Sequence, residues 1–67
     1  MIVKYNKLWK KLIDNNMTKT ELRKKAGIST NVLAKMGKEE SVSLESLWKI
    51  SLVFDCGIDE LIEIKGE

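Results

Sequence analysis

The chain has 67 residues, a hydrophobic fraction of 43% and a formal net charge of +2. This length predicts one small domain over residues 1–67, and the apolar content favours a folded core over disorder. We expect no signal peptide and no membrane partner, because no apolar run approaches the roughly 20 residues of a membrane-spanning helix. One cysteine and no histidine exclude an internal disulfide and argue against a metal site. A cytoplasmic location is therefore expected.

The charged side chains are distributed unevenly along the chain. Residues 1–38 contain ten basic and two acidic side chains, a net charge of +8, whereas residues 39–67 contain two basic and eight acidic ones, a net charge of −6. A basic half of this kind is typical of a surface that binds phosphates. The alternative is that the lysines only keep helix faces solvated.

Two short helices joined by a tight turn are predicted within the basic half, over residues 18–38. Thr18 is a good N-cap for the first helix, with an acidic residue three positions later to complete a capping box. Gly27 ends that helix, and its tolerance of positive φ suits a sharp turn. Ser29 then caps the second helix, which covers residues 30–36. The segment is interpreted as a helix-turn-helix.

Three further helices are predicted around this unit, at residues 6–15, at residues 44–54 and in a short segment that begins near Asp59. The chain ends, residues 1–3 and 62–64, are short, β-branched and alternating, which is compatible with a small two-stranded ribbon. The expected fold is all-α, with five helices and at most a short terminal β-ribbon.

The helix predicted at residues 30–36 has two different faces. Val32, Leu33 and Met36 lie on one side, and small polar and basic residues lie on the other. A rigid helix that presents threonine, asparagine and lysine outward fits the major groove of DNA, which admits a helix and displays donors and acceptors on the base edges. An ordinary solvated helix face is the alternative.

Together, these residues resemble the Cro/CI-type (lambda repressor-like, XRE) helix-turn-helix family over residues 5–62. The resemblance rests on an ordered series of caps, glycine and core positions: TKTEL at residues 18–22, AGIS at residues 26–29, Leu33 and Met36, and the later block SLESLWKI…VFDCGIDEL. It implies a five-helix DNA-binding domain of a bacterial or phage regulator, in which the second motif helix enters the major groove.

Three features depart from the pattern of that family. Arg23 stands where a small residue usually separates the two motif helices, so its stem must turn outward or the helices must splay. Lys19 stands where Gln is usual, and it can reach a phosphate but loses bidentate contact with adenine. Leu12 and Gly37 stand where many members pair an arginine with a glutamate. Because both partners are missing together, no buried charge is left unpaired, and we expect an apolar contact from Leu12 instead.

The resemblance places base contacts on the outward face of the second motif helix, at Ser29, Thr30, Asn31, Ala34 and Lys35. Asn31 can bond adenine in bidentate fashion, and Lys35 can donate to guanine. The methyl groups of Thr30 and Ala34 can contact the methyl group of thymine.

Phosphate contacts are expected from residues at the ends of the two motif helices. Thr18 and Lys19 start a helix whose first N–H groups favour a phosphate oxygen. Lys24 and Lys25 lie at its far end, and Lys38 follows the second motif helix. Such contacts would fix the register of the protein on DNA rather than read its sequence. Taken singly, each lysine could instead be a solvated surface side chain.

Trp48 and Leu52 form a second apolar pair, at i, i+4 spacing, on the helix predicted at residues 44–54. On so small a domain such a pair indicates a partner surface, here the interface of a homodimer. Alternatively, Trp48 covers the edge of the core and Leu52 is simply exposed. Trp9 is expected to pack on the C-terminal segment.

The expected function is sequence-specific binding of double-stranded DNA by a transcriptional regulator, most simply a repressor that binds an inverted repeat as a homodimer. We expect no cofactor, metal ion or small-molecule ligand. The alternative is a protein-interaction module, an antitoxin-like or anti-repressor adaptor that uses the same fold. An enzyme is not expected, because Cys56 has no histidine to act as its base and no pair of catalytic groups converges.

Overall fold

The structure is a computed structural model that describes residues 2–66. These residues form four α-helices, a 3₁₀ turn and a two-stranded antiparallel ribbon. In chain order the elements are β1 (Ile2–Lys4), α1 (Asn6–Asp14), α2 (Lys19–Ala26), α3 (Thr30–Gly37), α4 (Leu44–Phe54), the 3₁₀ turn (Ile58–Glu60) and β2 (Glu63–Lys65). The four longer predicted helices are confirmed, with ends close to their predicted positions.

The four helices share one core of buried apolar side chains. Leu8 of α1, Leu22 of α2, Met36 of α3 and Ile50 of α4 are each fully buried. Burial of a side chain of this size stabilises a fold by about 1.5–3 kcal/mol relative to its exposure. The two motif helices, α2 and α3, are therefore fixed to α1 and α4 by the same packed side chains that hold the molecule together.

The predicted terminal ribbon is present, one residue later in both strands than expected. Its register pairs Ile2 with Lys65, Val3 with Ile64 and Lys4 with Glu63. Met1, which the prediction included, lies outside the described residues. Val3 and Tyr5 are buried, whereas Lys4 between them is partly exposed. Since side chains of a strand alternate between its two faces, this burial decides which face of β1 turns to the core. The ribbon also means that the fold is mostly helical rather than all-α.

The predicted fifth helix is replaced by the 3₁₀ turn Ile58–Glu60. The N–H group of Leu61 donates to the carbonyl oxygen of Ile58 at 2.9 Å, which is the i→i+3 pattern of a 3₁₀ turn. The chain leaves the turn at once, because Leu61 is fully buried in the core and Glu63 already pairs with Lys4 of β1.

Candidate nucleic-acid interface

The start of α2 is fixed by the capping box that the sequence predicts. The hydroxyl oxygen of Thr18 accepts the N–H group of Glu21, and a carboxylate oxygen of Glu21 accepts the N–H group of Thr18, both at 3.1 Å. Hydrogen bonds from Thr18 to this carboxylate lower the pKa of Glu21, the bond from the Thr18 backbone N–H group most strongly. The N–H groups of Lys19 and Thr20, the first two of the helix, have no acceptor inside α2. They are suited to an anion such as a phosphate oxygen.

The turn between α2 and α3 depends on the backbone of Gly27. This residue has a φ of +70° and a ψ of 31°, in the left-handed region. Its N–H group and that of Ile28 both donate to the carbonyl oxygen of Arg23, at 3.0 and 3.2 Å. Ile28 is buried and anchors the turn in the core. The left-handed conformation at Gly27 therefore sets the direction in which α3 leaves α2.

The helix α3 presents the predicted polar face to solvent. Its N-cap, Ser29, accepts the N–H group of Val32 through its hydroxyl oxygen at 3.2 Å. Met36 is fully buried, and Val32 and Leu33 are half-buried. The structure brings the five predicted base-contacting residues together as exposed side chains on the opposite side: Ser29, Thr30, Asn31, Ala34 and Lys35.

The five residues predicted to contact phosphates are also exposed: Thr18, Lys19, Lys24, Lys25 and Lys38. They occupy three places along the two motif helices. Thr18 and Lys19 lie at the start of α2, Lys24 and Lys25 lie in its last turn, and Lys38 is the C-cap of α3. All of these positions are accessible to a large anionic partner.

The side chain of Lys19 has a neighbour that the sequence did not indicate. Its ammonium nitrogen lies 4.4 Å from the centroid of the Trp9 ring. Trp9 also packs near Tyr5, with ring centroids 6.4 Å apart. For Trp9, the sequence predicted only packing on the C-terminal segment. It did not predict the contact with Lys19, because no local spacing relates a residue of α1 to the start of α2.

The departures from the expected family pattern are accommodated without buried charge. Arg23 is half-buried, so part of this residue is accessible to solvent. Leu12 is 5% exposed and belongs to the core. Gly37 is exposed, and a Cβ atom added there would meet nothing within 4 Å. The core position of Leu12 therefore needs no ionic partner at Gly37.

An apolar stripe runs along the solvent side of α4. Leu44, Trp48 and Leu52 are 71%, 53% and 60% exposed. Their i, i+4, i+8 spacing places them on one face of the helix, and we call them the α4 stripe. The sequence analysis named Trp48 and Leu52 but missed Leu44, which the same spacing would have included. About half of Trp48 is accessible to solvent.

The remaining candidate groups offer little chemistry. Cys56 is half-buried, and desolvation raises the pKa of its thiol, which disfavours the reactive thiolate. Among residues 2–66, no group of three or more histidine, cysteine, aspartate or glutamate side chains is placed to hold a metal ion. Within the same described range, no helix is both long and apolar enough to cross a membrane.

Comparison with known proteins places this helix-turn-helix in a family. Residues 7–67 match the family model of the Cro/C1-type HTH DNA-binding domain. The chain belongs to the Cro/C1-type helix-turn-helix family. This Cro/C1-type chain is also similar to the crystal structure of the transcriptional regulator VanUg, with 47% sequence identity and a TM-score of 0.91 over 98% of this chain and 88% of that one. No curated protein is significantly similar to it.

Proposed function

We propose that this Cro/C1-type chain acts as one domain over residues 1–67 and is a sequence-specific transcriptional repressor. It inserts α3 into the major groove of double-stranded DNA. The observation that carries the proposal is the exposed polar face of α3, which lies in the half of the chain with a net charge of +8. Contacts with phosphates supply most of the affinity, and α3 supplies the choice of sequence. The site of action is the cytoplasm of a bacterial or phage-infected cell.

The base contacts come from the outward side chains of α3. Asn31 forms a bidentate contact with adenine, and Lys35 donates to guanine. The methyl groups of Thr30 and Ala34 contact thymine, and the Ser29 hydroxyl, whose oxygen already caps α3, donates to a base edge. Each good bidentate contact discriminates between bases by about 1–3 kcal/mol, so Asn31 and Lys35 carry most of the specificity.

The phosphate contacts come from the ends of α2 and from the residue that follows α3. The first N–H groups of α2, beside Thr18 and Lys19, bind one phosphate. Lys24, Lys25 and Lys38 bind others as exposed point charges. These contacts hold the register of α3 on the duplex but do not depend on the base sequence.

A homodimer is the proposed binding unit, because one α3 covers only half of an operator. Two copies related by a twofold axis bind an inverted repeat whose half-site centres lie about 10 base pairs apart. The α4 stripe supports this assignment, since Trp48 and Leu52 are large, exposed and apolar and tryptophan is enriched at interface hot spots.

The test is selection of bound duplexes from a random pool, followed by binding measurements on the selected duplex. Asn31→Ala and Lys35→Ala are expected to reduce the preference for that duplex over random DNA by roughly 5- to 150-fold each, the equivalent of about 1–3 kcal/mol. Lys65→Ala on β2 is the control, because it removes the same charge from the acidic half. If the Asn31→Ala, Lys35→Ala double variant discriminates as well as the wild type, the proposed reading face is wrong.

A protein-interaction module, antitoxin-like or anti-repressor, is the second candidate. It is favoured by the exposure of the α4 stripe, which would then be the main binding site. The two functions differ in their dependence on salt. A DNA-binding protein loses affinity for random duplex DNA steeply as salt rises, because bound counterions are released. Absence of salt-sensitive duplex binding would favour the interaction module.

A further inference from the structure

The segment that follows α3 is held by the N-terminal strand region. The hydroxyl group of Tyr5 donates to the carbonyl oxygen of Glu40 at 2.5 Å, across 35 residues of sequence. Tyr5 itself is 1% exposed, so its ring is fixed in the core and its hydroxyl has a defined position. The ordinary pKa of tyrosine is 10.0 and desolvation raises that of Tyr5, so the hydroxyl can donate at neutral pH.

A second contact lies beside the first. The ammonium nitrogen of Lys4 is 2.8 Å from a carboxylate oxygen of Glu39. Glu39 has a φ of +58°, which is uncommon for a residue other than glycine and persists where surrounding contacts enforce it. A partly exposed ion pair contributes little to stability by itself. The pair places the Glu39 carboxylate next to the last residue of β1.

These contacts reach the last turn of α3 directly. The N–H group of Glu39 donates to the carbonyl oxygen of Met36 at 3.1 Å, and that of Glu40 donates to the carbonyl oxygen of Lys35 at 2.9 Å. Lys4 and Tyr5 therefore hold residues that are themselves hydrogen-bonded to the end of α3. We call the four residues Lys4, Tyr5, Glu39 and Glu40 the α3 anchor.

We infer that Tyr5, assisted by Lys4, is a positioning residue that sets the angle of α3 in the DNA groove; this inference rests on the proposed function. The helix has eight residues and is about 12 Å long. Its first end is directed by the turn at Gly27, and its second end is held both by buried Met36 and by the α3 anchor. Loss of the anchor therefore displaces Lys35, near the second end, more than Asn31, near the first.

The test compares three variants on the selected duplex and on its single-base substitutions. Tyr5→Phe removes the hydroxyl and keeps the buried ring. Lys4→Met removes the charge from a partly exposed position and keeps the length of the side chain. Lys65→Met is the matched control, because it removes a lysine from the other strand of the ribbon, where the ammonium group lies 3.8 Å from Glu63 and not at the α3 anchor.

Tyr5→Phe is expected to lower the preference for the selected duplex over random DNA about fivefold. This is the change expected if the whole contribution of one ordinary hydrogen bond is lost from the positioning of α3. Lys4→Met lowers it about twofold, and Lys65→Met leaves it unchanged. Discrimination is lost at the same base pairs at which Lys35→Ala reduces it. Discrimination at the base pairs affected by Asn31→Ala stays at the wild-type level. Affinity for random DNA and its salt dependence stay at the wild-type level, whereas general destabilisation would reduce both.

Discrimination as good as that of the wild type in both Tyr5→Phe and Lys4→Met would overturn the inference, and so would an equal loss at every base pair. Should Tyr5→Phe unfold at the assay temperature, Lys4→Met decides alone, since its side chain is partly exposed. A wild-type protein that prefers no duplex would refute the proposed function instead.

Discussion

The ammonium nitrogen of Lys19 lies 4.4 Å from the centroid of the Trp9 ring, so the first residue of α2 stacks on an aromatic side chain of α1. The face of the indole ring carries negative charge density, which attracts the cation. The pairing joins two helices that the sequence does not relate. It also holds Lys19 close to the protein surface at the N-terminal end of α2, where the proposed function places a phosphate.

Lys19→Met tests this pairing, because it removes the cation and keeps the length of the side chain. We expect the free energy of unfolding to fall by about 0.5–1 kcal/mol, the usual contribution of an exposed cation–π pair. Urea denaturation followed by circular dichroism measures it. Lys24→Met, at another exposed position of α2, is the control and should change stability by less than about 0.5 kcal/mol. Equal stabilities of the two variants would show that the stacking contributes nothing.

Gly27→Ala is expected to destabilise the protein by about 1–2 kcal/mol, because a Cβ atom disfavours the left-handed conformation that Gly27 adopts with a φ of +70°. Gly37→Ala is the matched control. Gly37 is the last residue of α3, and an added Cβ would meet nothing within 4 Å. Alanine there should stabilise the protein by about 0.5–1 kcal/mol. Thermal unfolding of both variants measures whether each change raises or lowers the stability. A loss of stability in Gly37→Ala would contradict the helical assignment of that residue.

The capping box should make stability depend on pH. The pKa of Glu21 is lowered from its ordinary value of 4.5 by hydrogen bonds from Thr18. Because folding lowers this pKa, the ionised carboxylate stabilises the fold above pH 4.5, and the stabilisation is lost as pH falls through the folded-state value. We expect the wild type to be more stable than Glu21→Gln at neutral pH, with a difference that disappears in acid. Urea denaturation across this range tests it, and a difference independent of pH would contradict it.

Thr18→Ala removes the other half of the capping box. Loss of such an N-cap costs about 1 kcal/mol of stability, and it also frees the N–H group of Glu21, which donates to the Thr18 hydroxyl oxygen at 3.1 Å. Replacement by serine, which retains a hydroxyl acceptor, is the control and should restore most of the loss. The free energy of unfolding measures both changes, and equal losses in the alanine and serine variants would show that the hydroxyl is not the stabilising group.

Trp48→Ala should weaken the proposed homodimer. Truncation of a hot-spot tryptophan typically costs at least about 2 kcal/mol, roughly a 30-fold increase in the dimer dissociation constant. Ile13→Ala is the control, because Ile13 is apolar and 77% exposed but belongs to α1 and not to the α4 stripe. Sedimentation equilibrium measures the dissociation constants. A Trp48→Ala variant that dimerises as tightly as the wild type would place the interface elsewhere.

The helix-turn-helix was predictable because its determinants are local. Thr18 caps α2 through a residue three positions away, Ser29 caps α3 in the same way, and Gly27 takes its left-handed conformation within a single residue. Interactions of this range are visible as spacings in the sequence. The exposure of Asn31 and Lys35 followed from the same reasoning, since the helical period separates them from buried Met36.

The chain ends were predicted less well, because their structure depends on pairing between distant segments. The segment Ile58–Glu60 lies where the fifth helix was predicted. Its acidic residues suit the start of a helix, yet it forms only a 3₁₀ turn. The ribbon pairs residues at opposite ends of the chain, and a shift of one residue in such a pairing exchanges the two faces of a strand. Burial of Val3 and Tyr5 selects the register, and a short β-branched run does not reveal it.

The sequence by itself determined the four helices, their caps, the glycine turn and the separation of polar from apolar faces, since these depend on neighbours within about four positions. The tertiary structure decided that Tyr5 reaches Glu40 across 35 residues and that Trp9 lies against Lys19. Contacts between distant segments form only when the free energy gained by burial of the common core offsets the loss of chain entropy. The spacing of residues along the sequence does not show which distant side chains are brought into contact by this burial.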